Sequence, residues 1–112
     1  CFRSPVGGIF RHVRDLAELC HAALISDQSG CFNAGSGEGA SIAQVVTEIR
    51  RVVRASGVAD VVPVHKPGRN YDVPRVVLDI TKARELLGWQ PRIDLSAGLE
   101  ESWAWVRTQV SP

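Results

Sequence analysis

The sequence predicts a helix-rich α/β fold, about four helices with two or three short strands, and three observations carry that expectation. Apolar residues recur at the helical period in three segments, and a fourth is bracketed by a helix start and a helix stop. The β-branched runs between them are too short to close a complete doubly wound sheet. The composition, 45% apolar and 22% charged over 112 residues, suits one domain spanning residues 1–112 with a core of its own.

Leu16, Leu19, Cys20, Ala23 and Leu24 fall at i, i+3, i+4, i+7 and i+8 and predict a helix from about Val13 to Ile25. Asp15 and Glu18 lie in its first turns, where the macrodipole favours acids. Cys20 shares the apolar stripe and is expected to be a buried small hydrophobe, not a nucleophile. Ser26 to Gly30 reads as a turn, Cys31 to Asn33 as a short strand, and Gly35 to Gly39 as a glycine-rich loop. Ser41 with Gln44 forms a capping box. Behind it Ile42, Val45, Val46, Ile49, Val52 and Val53 stripe a second helix that Gly57 ends.

A second strand is expected at about Asp60 to Val64, where β-branched residues dominate. A polar loop runs from His65 to Pro74, and Val76 to Leu78 is the third strand candidate. Asp79 or Thr81 caps a two-turn helix that reaches Leu87 and closes at Gly88. The last helix, about Ser96 to Gln109, is striped by Leu95, Leu99, Trp103, Val106 and Val110, so Trp103 is expected to be buried and Trp105 to sit partly off the face.

Thirteen Lys plus Arg against twelve Asp plus Glu leave a net charge of +1, too little field to attract nucleic acid. No apolar stretch approaches the roughly 20 residues that cross a bilayer. Cys1, Cys20 and Cys31 are odd in number and match no zinc spacing, so neither a disulfide framework nor a metal site is expected, and a reducing cytoplasm is the default compartment. The absence of methionine and the start at Cys1 lead to the expectation of a processed product or a fragment.

Gly35-Ser-Gly37-Glu-Gly39-Ala40 fits the dinucleotide pattern G-x-G-x-x-G/A between a strand and a helix, with Asp60 near the spacing of a ribose-binding acid. The first strand is too short for the centre of a sheet, however, and Asp60 opens the second strand where the acid would end it. The preferred reading is structural: glycines allow positive φ at the strand exit and Ser41 caps the helix. An anion resting on the amides of that helix N-terminus is the weaker alternative. His12, His21 and His65 are scattered and no G-x-S-x-G occurs, so no catalytic triad is assembled. His65, Lys66, Arg69, Asn70, Tyr71 and Asp72 form the densest polar cluster, where a ligand loop and a solvated turn have equal support from the residues alone.

Five motifs stand in order: His12-Val-Arg-Asp15-Leu-Ala17, Phe32-Asn33-Ala-Gly35-Ser-Gly37, Arg69-Asn-Tyr-Asp72-Val-Pro74, Asp79-Ile-Thr-Lys82-Ala83 and Leu87-Gly88-Trp89-Gln-Pro91. Together they resemble the C-terminal, substrate-binding part of the extended short-chain dehydrogenase/reductases, the NAD-dependent nucleotide-sugar epimerases and dehydratases of the UDP-glucose 4-epimerase kind. The resemblance implies a partial fold lacking the Rossmann domain. NAD in the family is bound by that missing domain, so no cofactor is expected in this chain. A Y-x-x-x-K pair performs the family's acid/base chemistry, yet the only tyrosine here, Tyr71, is followed four residues on by Arg75. No residue of this chain is therefore expected to be catalytic. The resemblance makes Arg69 the grip on a nucleotide diphosphate and assigns Asn70, Tyr71 and Asp72 to the substrate loop. Gly8 and Ile9 stand where the family usually has a second arginine and an aspartate. The expected function is the nucleotide-sugar-binding portion of such an enzyme, a UDP-sugar being the expected ligand. The alternative is a free-standing oligomeric interaction module that kept the fold, because apolar surface left by a missing domain drives association into a homo-oligomer.

Overall fold

The computed structural model describes residues 7–8, 10–64, 66 and 76–110. Helix α1 spans Val13–Leu24 and starts at His12, whose imidazole Nδ1 accepts the Arg14 amide at 3.4 Å. Helix α2 spans Ile42–Ala55, and both halves of its capping box are made: the Gln44 amide donates to Ser41 Oγ at 3.2 Å and the Ser41 amide to Gln44 Oε1 at 2.7 Å. Gly57, at φ +77°, takes the chain out of that helix in a conformation that costs a larger residue strain. Helix α3 spans Thr81–Leu87, with the Asp79 carboxylate accepting the Thr81 amide at 2.8 Å before it and Gly88 left-handed after it. Helix α4, Leu95–Val110, follows Asp94, which accepts the Ala97 amide at 2.8 Å.

The strands are where the sequence pattern did not place them. Strand β1, Gly7–Gly8, pairs antiparallel with β2, Ala40–Ser41, in the register Gly7↔Ser41 and Gly8↔Ala40. The segments 31–33, 60–64 and 76–78, expected as strands, run without a ladder. A β-branched run supplies the propensity for a strand, but the strand itself exists only against a neighbour, and none of the described residues pairs with these runs. The helix-rich α/β class stands.

The helices pack as two pairs, α1 with α3 and α2 with α4. Leu19, Ile80, Ala83 and Trp89 form the buried cluster of the first pair, with Phe32, Ala34 and Leu87 packed against it. Val52 and Val53 of α2 are buried in the second. The pairs meet where α4 crosses the start of α1 at Gly98, because a Cβ there would stand 3.2 Å from His12 Cδ2. Two expectations of burial are corrected. Trp103 is half-buried, its indole N–H reaching Ser56 Oγ at 2.9 Å near the edge of the α2/α4 contact. Cys20 is exposed, because α3 covers only the Leu19 side of α1 and leaves Leu16 at 43% and Leu24 at 84% exposure.

Candidate functional site

Four of the five sequence motifs turn out to hold the chain together. Asp15 is 1% exposed. Its carboxylate accepts the Arg92 amide at 3.0 Å, the Ile93 amide at 3.2 Å and an Arg11 N–H at 3.3 Å, while its carbonyl accepts the Trp89 indole N–H at 3.0 Å. A buried carboxylate is tolerated only when its lone pairs are filled in this way. The first motif and the Leu87-Gly88-Trp89-Gln-Pro91 motif are thus the two halves of one staple between α1 and the α3–α4 connection.

The Phe32 and Asp79 motifs form a second clasp. Asn33 Nδ2 donates to the Asp79 carbonyl at 3.0 Å, and Lys82 Nζ donates to the Cys31 carbonyl at 3.0 Å with its ammonium 4.8 Å from the Phe32 ring centroid. Hydrogen bonds from Thr81 hold the Asp79 carboxyl below the usual carboxylate range. The glycine-rich loop is part of this clasp. At Gly35 a Cβ would stand 3.0 Å from Leu78 Cβ, and Gly37, at φ +74°, faces Ile80.

That geometry settles what the loop does. Its glycines permit the backbone of 35–37 to lie against Leu78 and Ile80, and the segment 31–33 that enters the loop pairs with no described strand, where a dinucleotide fold has a parallel βα entry. This loop does not present the geometry of a dinucleotide site. The anion alternative at the start of α2 fares no better. The open cleft there, about 600 Å³, is lined by Glu38, Glu48 and Asp94 against one cation, Arg11, already engaged by Asp15. Asp60, the acid spaced for a ribose, lies instead between the Arg50 and Arg54 guanidinia, Arg50 Nε standing 3.0 Å from its Oδ1. These cations, Arg50 first, hold its carboxyl well below the ordinary carboxylate range.

Arg69, Asn70, Tyr71 and Asp72 lie outside the described residues, as does His65. The two limbs of their loop are described. The incoming limb is fixed to α2 through Asp60, and the outgoing limb is fixed through Leu78 on Gly35 and the Asp79 carbonyl on Asn33. Both limbs are therefore anchored on the scaffold, as a ligand loop requires. Sequence reasoning missed the Asp60 clasp and the Asp15 staple. Arg50 and Arg54 at i, i+4 on α2 were the available signal for the first; nothing in the pattern flagged the second, since its partners are backbone amides remote in sequence. Among the described residues no group of three or more His, Cys, Asp or Glu side chains is placed to hold a metal ion, and no helix is long and apolar enough to cross a membrane.

A family model described as GDP-mannose 4,6 dehydratase matches residues 9–102. The chain belongs to this family. Its curated relatives include the UDP-glucose 4-epimerase of Corynebacterium glutamicum, 37% identical over 97 residues, which are 83% of this chain and 28% of the relative. The UDP-glucose 4-epimerase of Halalkalibacterium halodurans is 32% identical over 99 residues, 84% of this chain and again 28% of the relative. Among solved structures, the UDP-glucose 4-epimerase of Thermotoga maritima with UDP-glucose superposes at a TM-score of 0.85 and 29% identity, covering 97% of this chain and 34% of that one. The Bordetella bronchiseptica enzyme WbmG, in complex with NAD and UDP, follows at 0.75 and 32% identity, with 96% and 33% covered. The chain thus spans about 28% of the length of these curated relatives, and its four helices correspond to the C-terminal part of an epimerase fold.

Proposed function

We propose that the chain is the nucleotide-sugar-binding part of an NAD-dependent epimerase or dehydratase, with a UDP-sugar as ligand and the hydride step performed by residues it does not contain. The observation that carries this reading is the TM-score of 0.85, over 97% of the chain, to an epimerase described with UDP-glucose. Arg69 supplies a planar fork matched to a diphosphate, and Asn70, Tyr71 and Asp72 are the further substrate residues of this reading. The absence of a Y-x-x-x-K pair in the sequence removes acid/base catalysis at the sugar from this chain's own repertoire. A reducing cytoplasm is the compartment that suits its free thiols, Cys20 and Cys31.

Ligand-observed NMR with UDP and UMP tests the reading. UDP is expected to give the stronger signal. Arg69→Ala should weaken UDP binding about ten- to a hundredfold, the worth of one charge-assisted fork, and Arg69→Lys should restore only part of it. Equal signals from UDP and UMP, or an Arg69→Ala protein indistinguishable from wild type, would replace this reading with the oligomeric interaction module.

A further inference from the structure

We draw no further inference here: the strongest candidate, the open cleft of about 600 Å³ between the start of α2 and the start of α4, is a cluster of three carboxylates, Glu38, Glu48 and Asp94, and the buried, unpartnered Arg11 Nε beside it belongs to a guanidinium already paired with Asp15, which names no ligand that three acids would bind.

Discussion

Around Trp89 the chain is closed by buried, directional bonds, whereas α2 and α4 are joined by apolar contact with their charges outside. In the first region one carboxylate, 1% exposed, collects two backbone amides and a guanidinium. In the second, Val52 and Val53 are buried while Arg51 reaches Glu48 at 2.8 Å, Ser96 at 2.5 Å and Glu100 at 2.8 Å across the exposed surface. Both regions have a residue with three polar partners. Their worth differs because water competes for every bond in the second and far less for those in the first, where the shared acceptor is buried. The difference also explains why an ordered set of motifs need not be a set of chemical groups: Asp15, Asn33, Lys82 and Trp89 serve the fold, which leaves the Arg69 motif as the one proposed to meet a ligand.

The largest expected effect tests that contrast directly. Asp15→Ala strands the Arg92 and Ile93 amides and leaves the largely buried Arg11 without its partner, and should cost about 3 to 5 kcal/mol in urea unfolding. Arg51→Ala also removes three polar contacts and should cost about 1 kcal/mol or less. Similar losses for the two would mean that the Asp15 site is open to water in solution.

Next in size is the glycine-rich loop. Gly35→Ala places a methyl group 3.0 Å from Leu78 Cβ and 3.5 Å from Ile80 Cγ2, so that the 31–35 and 78–80 segments must separate, and about 1 to 3 kcal/mol should be lost. A variant as stable as wild type would return the loop to the ligand-facing side of the comparison. Smaller again are the two tryptophans, each of which donates one hydrogen bond. Trp89→Phe removes the indole's bond to the Asp15 carbonyl, which keeps only its partner within α1, and should cost about 0.5 to 1.5 kcal/mol beyond the change in packing. Trp103→Phe frees Ser56 at the edge of the helix pair, where water replaces the indole, and should cost about 0.5 kcal/mol or less. Denaturant midpoints of the two variants give the ratio.

The same contrast marks what the sequence made legible. All four helices were readable, because period, capping box and glycine stops are local: Val13–Leu24 and Ile42–Ala55 lie within a residue or so of their expected bounds. The strands were not. The β-branched segment 60–64 has the propensity but no described neighbour, while Gly7–Gly8 and Ala40–Ser41 have a neighbour and no propensity. Cys20 and Trp103 were misplaced for a related reason. Periodicity says which side of a helix is apolar but not how much of that side another element covers, and α3 covers less of α1 than the stripe offers. Of the candidate site, the motif order pointed to the loop, and the anchors of its limbs emerged only from pairings between α2 and Asp60 and between Asn33 and the Asp79 carbonyl.

The smallest effect belongs to a third kind of attachment, at the surface, where the chain leads towards Arg69. Arg50 and Arg54 hold the Asp60 carboxyl well below its ordinary value of about 4, so the clasp adds a contribution that is complete above that value. As pH falls, the unfolded chain takes up the proton first, and the contribution is lost progressively until the folded group itself is protonated in stronger acid. The amide resonances of Val61 and Val62 should therefore keep their neutral-pH positions through pH 4 and move only in stronger acid, while the helices, fixed elsewhere, stay put. Asp60→Asn should show the released positions already at neutral pH, with little change in global melting, because exposed pairs are screened and entropically costly. A titration of Val61 and Val62 centred near 4 in the wild type would show an unclasped Asp60. The limb carrying the chain towards Arg69 would then lack its attachment to α2, and the loop proposed to bind the diphosphate would depend on its outgoing limb at Leu78 and Asp79.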